Sequence, residues 1–134
     1  MPHAVIRILE GKTPEEKKKL GEDVANAIAK GLGHPSFGWM VGYEIFDIAP
    51  KHFARGGKLK AAKPPFAYLI VSILKGRTPK QKKGIAEYVS TAVAKHLKVP
   101  TNSEGIIVEI TEAALENISH AGETTLDAPP PQII

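Results

Sequence analysis

Ile8-Leu9-Glu10-Gly11-Lys12-Thr13-Pro14 returns 65 residues later as Ile73-Leu74-Lys75-Gly76-Arg77-Thr78-Pro79. The same offset holds without a gap from residues 2–57 to residues 67–122, with 18 identities in 56 positions. Unrelated segments of this composition would share about three or four, so the chain is one unit written twice. The register pairs Lys12 with Arg77 and Thr13-Pro14 with Thr78-Pro79, but it pairs Pro2 with Ala67. The proline next to the amino end therefore has no counterpart inside the chain.

Each copy carries the grammar of a βαβ unit. Residues 3–9 are rich in β-branched side chains and alternate loosely, which predicts a strand ending at Gly11. Thr13-Pro14-Glu15-Glu16 then provides an N-cap, a proline at the first helical position and a capping-box glutamate. Leu20, Val24, Ala27, Ile28 and Leu32 form one apolar stripe at helical spacing, and Gly33 with Pro35 ends it. Residues 39–48 read as a second strand. The second copy repeats this with a strand over 68–74, a cap at Thr78-Pro79-Lys80-Gln81, a stripe of Ile85, Val89, Ala92, Val93 and Leu97, a stop at Pro100 and a strand over 105–111. A helical crossover makes the two strands of each unit parallel. Two strands under one helix are too small to stand alone, so the halves must pair.

The expectation is an α/β (α+β) chain forming a single domain over residues 1–134. Its repeats occupy 2–57 and 67–122, joined by a linker at 58–66 and followed by an extended proline-rich tail at 123–134. With 134 residues, 43% hydrophobic and 24% charged, it is large enough for one modest core. No apolar run reaches the length of a membrane span and no signal-peptide pattern opens the chain, so the expectation is a cytoplasmic protein without membrane association. The absence of cysteine excludes disulfides, thiolate catalysis and cysteine-based zinc sites. Five scattered histidines with no paired spacing give no metal site, and His120, four residues beyond Glu116, reads as a surface residue.

The net charge of +4 resides in the first half, where 11 Lys/Arg face 7 Asp/Glu through residue 63, against 7 and 7 beyond it. Lys17, Lys18 and Lys19 and the 55–63 segment read as a solvated helix face and a linker. With no aromatic interleaving and no dense basic stripe, nucleic acid is not the expected partner. A small carboxylate suits a few fixed cations better.

Met1-Pro2, the short strand, Leu9-Glu10-Gly11-Lys12-Thr13-Pro14, the amphipathic helix ending near Pro35, and His52-Phe53-Ala54-Arg55-Gly56-Gly57 resemble the 4-oxalocrotonate tautomerase family. The repeat makes the chain similar to fused, two-unit members, which resemble malonate semialdehyde decarboxylases and cis-3-chloroacrylic acid dehalogenases in architecture. The resemblance implies a four-stranded mixed sheet with two helices on one face, a homotrimer, and no cofactor. It also implies removal of Met1, so that the Pro2 nitrogen becomes the catalytic group. A secondary amine desolvated near cations is partly neutral and acts as a base near pH 7.

In that geometry the first strands pair antiparallel, which sets Pro2 beside Lys75 and Arg77 and sets Lys12 beside Ala67. Arg77 is the candidate for gripping a substrate carboxylate through two parallel donors, with Lys75 as a second cation. Phe53 matches the hydrophobic wall residue of the family, yet it falls with Lys12 in the second, amine-less pocket, and Ile118 takes the wall role near Pro2. The family's tautomerases carry an arginine on the second strand of a unit, where this chain has Gly42 and Ile107. Glu44 and Glu109 stand at equivalent places in the second strands, and Glu109 is a candidate for preparing water. The implied activity is tautomerisation of a small enolisable 2-oxo or 2-hydroxydienoic acid. Decarboxylation, or hydration and dehalogenation, of a three-carbon acid with the same proline, and a non-catalytic role, stay open.

Overall fold

The computed structural model describes residues 2–55, 58–59 and 66–125. In chain order the main elements are β1 (His3–Leu9), α1 (Pro14–Gly31), β2 (Gly42–Ile48), the short β3 (Ala54–Arg55) and β4 (Lys58–Leu59), β5 (Ala67–Leu74), α2 (Pro79–Leu97), β6 (Ile106–Ala113), and the short β7 (Ser119–His120) and β8 (Glu123–Thr124). One four-stranded mixed sheet runs β2-β1-β5-β6. The pairs β1/β2 and β5/β6 are parallel, and the two units join through antiparallel β1/β5.

Both helices begin as their sequences dictate. Thr13 accepts from the Glu16 amide while Glu16 accepts from the Thr13 amide, and Thr78 and Gln81 repeat the box on α2. The first helix stops at Leu32 with Gly33 at φ 89°, a conformation glycine adopts without strain. The second stops on Lys98, which takes the left-handed conformation itself at φ 57°.

The alternation of β1 sends Ala4, Ile6 and Ile8 into the core and His3 and Arg7 to the other face. On β5, Ala67, Leu69 and Val71 do the same, and Leu20, Val24 and Ile28 of α1 with Ile85, Val89 and Val93 of α2 close over them. Each of these Ile, Leu and Val side chains removed from water contributes roughly 1.5–3 kcal/mol. The end of α1 touches α2 closely, since a Cβ on Gly31 would lie 2.5 Å from the Ile85 amide nitrogen. The duplication extends to ion pairs between helix and sheet: Lys17 with Asp47 at 2.7 Å in the first unit, and Lys82 with Glu112 in the second.

Three expectations need correction. Residues 39–41 are not strand, because Pro35–Met40 forms a kinked 3-10 segment packed on α1 and the strand begins only at Gly42. The proposed linker starts too early, since Lys58–Leu59 pairs antiparallel with Ala54–Arg55 as a hairpin of the first unit, leaving residues 60–65 outside the described residues. In the same way the tail begins with a strand, Glu123–Thr124 pairing with Ser119–His120, and residues 126–134, with the proline run, lie outside the described residues. Among the described residues no helix is long and apolar enough to cross a membrane.

Candidate active site

The antiparallel register of β1 and β5 positions the amino end. His3 stands opposite Ser72, so Pro2, one step earlier, comes level with Ile73 at the end of β5. Pro2 is buried, and its carbonyl accepts from the Gly42 amide at 3.1 Å. Beyond Ile73 the chain leaves the sheet through Leu74, Lys75 and Gly76, where φ of 108° turns it toward the capping box of α2. Lys75 is exposed, with its amide bonded to Ala113 O at 2.8 Å. Arg77 is half-buried, and its Nε is shielded from solvent. Both cations therefore follow within four residues of the point level with Pro2.

Ile118, 37% exposed, follows the end of β6 and the Leu115–Asn117 turn. Its carbonyl accepts from both the amide and the hydroxyl of Thr125, at 2.8 and 3.0 Å. The other end of the sheet holds the equivalent residues of the first unit. There Phe53 stacks on buried Phe66, centroids 4.2 Å apart, and Phe66 holds the position that Met1 has in the first unit. Lys12 donates from Nζ to His96 O at 2.9 Å, at the last turn of α2, where a cation meets the negative end of the helix dipole. Lys12 and Phe53 thus gather at the end where Ala67 replaces the proline, about six residues of strand, or roughly 20 Å, from Pro2.

Glu44 and Glu109 both lie on the sheet face opposite the helices. Glu109 accepts from Tyr68 Oη at 3.1 Å. That hydrogen bond raises the Tyr68 pKa above the ordinary tyrosine range, because ionising the phenol would lose it and set two anions together. Within one chain Glu109 lies two strands across and three residues along from the level of Pro2, about 14 Å away, so it and Pro2 do not meet there. Sequence reasoning passed over His3. Its Nε2 lies 3.5 Å from Glu44 Oε1, and its ring covers Gly42, where a Cβ would come within 2.7 Å of Nδ1. The signal was available in the shared offset, which aligns His3 with Tyr68 as it aligns Glu44 with Glu109. Among the described residues no group of three or more His, Asp or Glu could hold a metal ion.

The family model described as tautomerase enzyme matches the chain twice, over residues 2–63 and 68–128. The chain belongs to the tautomerase family. A probable tautomerase of Bacillus cereus is 38% identical over 58 residues, covering 43% of this tautomerase-family chain and 92% of the relative. A 2-hydroxymuconate tautomerase of Pseudomonas putida is 41% identical over 59 residues, covering 44% of the chain and 90% of the relative. Each relative therefore has about the length of one unit. Solved structures of double length match the whole tautomerase-family chain in fold. A fused 4-OT solved as an asymmetric trimer has TM-score 0.83 at 22% identity, covering 96% of this chain and 99% of that one. A member of the cis-3-chloroacrylic acid dehalogenase family has TM-score 0.76 at 19% identity, covering 97% and 93%.

Proposed function

We propose that this chain is a cofactor-independent tautomerase of a small enolisable 2-oxo or 2-hydroxydienoic carboxylate, with Pro2 as general base. The observation that carries this reading is the β1/β5 register, which brings the amino end level with the strand end that leads into Lys75 and Arg77. With Met1 removed, the Pro2 amine takes the hydroxyl proton of the dienol and returns it to carbon, while Arg77 holds the carboxylate and stabilises charge that builds on the conjugated oxygen. Ile118 supplies an apolar wall that keeps the amine partly neutral, and Lys75 adds a second cation. The assembly we propose is a homotrimer. The sheet face opposite the helices carries exposed Phe46 beside Arg7, exposed Ile107 beside Tyr68, and the facing pair Val5 and Ile70, a mixed surface whose apolar groups further copies would cover.

The test is ketonisation of 2-hydroxymuconate and phenylenolpyruvate by wild type and Pro2→Ala, on protein whose intact mass shows Met1 removed. Activity present in the wild type and lost in the variant is expected. Equal rates in the two, or none in either, overturn the reading.

A second reading draws on Gly42. His3 fills the space above it, so this strand position offers no arginine to a dicarboxylate. That departure favours decarboxylation, or hydration and dehalogenation, of a three-carbon acid at the same proline, and turnover of malonate semialdehyde or 3-chloroacrylate in place of the dienols would select it over both tautomerisation and a non-catalytic role.

A further inference from the structure

The two units build the same side-chain pair on the sheet face opposite the helices, with one difference. In each, the residue one step past the Pro2 or Ala67 position reaches across to the glutamate of the neighbouring parallel strand. In the second unit it is Tyr68 to Glu109, at 3.1 Å. In the first it is His3 to Glu44, at 3.5 Å. Where the unit has no amine the pair is a phenol and a carboxylate, and where it has one the pair is an imidazole and a carboxylate.

The first pair also sits on the backbone that carries Pro2. Gly42 holds the Pro2 carbonyl through its amide, and the His3 ring lies over Gly42 in the space a side chain would take. We propose that His3 and Glu44 form a positioning pair for the Pro2 amine, fixing the strand end that bears it and setting the charge around it. The inference rests on the proline-based reading above.

Among the described residues of one chain the groups facing His3 are few. Glu44 comes from β2, and Ser72 stands opposite on β5, its hydroxyl bonded to Thr111 of β6 at 3.0 Å. Arg7 lies two alternate positions along β1 on the same face, and Lys75 and Arg77 follow β5. Glu44 is therefore the acid beside the imidazole. Replacing His3 leaves the Glu44 carboxylate near the amine end and favours the ammonium. Replacing Glu44 removes a carboxylate from that end of the strand and disfavours it.

Protein labelled with 15N-proline, with Met1 removed, allows the Pro2 nitrogen to be titrated by NMR, and kcat/KM for 2-hydroxymuconate is followed over the same pH range. His3→Tyr, which copies the pair the second unit already accommodates, should raise the Pro2 midpoint, and Glu44→Gln should lower it, each by about half a pH unit, the size of one screened charge near a protein surface. The acidic limb of the pH–rate profile should move with it, since Pro2 must be neutral to act as a base, and Tyr68→Phe should leave the midpoint in place. Midpoints unmoved in both variants, or moved in the same direction, overturn the proposal even where Pro2→Ala abolishes activity. If Pro2→Ala leaves activity intact, the proline-based reading falls and this inference falls with it.

Discussion

Arg77 and Lys12 occupy the same position in the two units, which makes Arg77→Ala and Lys12→Ala a matched pair of perturbations. Lys12 is occupied by the last turn of α2, donating to His96 O at 2.9 Å, far from Pro2. Arg77 follows the end of β5 that comes level with Pro2. A charge-assisted hydrogen bond between a guanidinium and a carboxylate contributes about 1.5–3 kcal/mol. Its loss should lower kcat/KM by about 10- to 150-fold, mostly through KM if the carboxylate is held equally in ground and transition states. Lys12→Ala should instead cost about 1 kcal/mol of stability at the helix C-terminus and leave kcat/KM within about twofold. Steady-state ketonisation of 2-hydroxymuconate reads the first effect, and urea unfolding at fixed protein concentration reads the second. A larger kinetic defect in Lys12→Ala than in Arg77→Ala would refute the assignment of the two sheet ends.

Other consequences are open to simple measurements. Gly31→Ala should destabilise the chain by about 1–3 kcal/mol in urea unfolding, because its Cβ would meet the Ile85 backbone rather than a movable side-chain tip. Phe66→Ala, which removes a buried ring from its stack on Phe53, should cost about 3–5 kcal/mol while the Pro2-dependent activity per folded molecule is retained. Glu16 has a pKa held below the ordinary glutamate range, first by the Thr13 amide and then by its hydroxyl. A lowered folded-state pKa means that its capping contribution is present above the unfolded glutamate's pKa and is lost as pH falls through the folded value. Glu16→Gln, the residue type already at the equivalent Gln81, should therefore flatten the acid side of the stability profile measured by circular dichroism.

The parts of the fold legible in sequence are those where local chemistry and tertiary need agree. Thr13-Pro14 and Thr78-Pro79 start helices because each cap satisfies amides that nothing else reaches, and the apolar stripes behind them are the ones the structure buries. Residues 39–41 misled because Trp39, Met40 and Val41 have strand-like side chains, whereas what holds the Pro35–Met40 turn is its approach to α1. Gly38 lies against Asn26, where a Cβ would come within 1.9 Å of Oδ1. The hairpins at 54–59 and 119–124 were missed because two-residue strands have no period to read. At the candidate site, the offset of 65 residues sorted Lys12 from Arg77 and Phe53 from Ile118, but it said nothing about which acid pairs with which neighbour. That required strand parity, by which His3, Glu44, Tyr68 and Glu109 all reach the same face.

Duplication explains why the two ends of one sheet diverge. A sheet built from two identical units would have two equivalent edges, each with an amine, a cation and a wall. Joining the units in one chain removes the second amine, since residue 67 has an amide on both sides, and a pocket without its reactive group has no reason to stay open. Phe66 now packs on Phe53 there, and Lys12 is engaged with α2, so both contribute to stability. Ile118, at the equivalent position of the second unit, is smaller than a phenylalanine and 37% exposed. The contrast between Tyr68–Glu109 and His3–Glu44 follows the same division: the imidazole–carboxylate pair stands at the end that carries Pro2. Filling the Pro2 end by Ile118→Phe should accordingly lower activity more than it lowers stability, and the reverse split would show that the two edges are not specialised in this way.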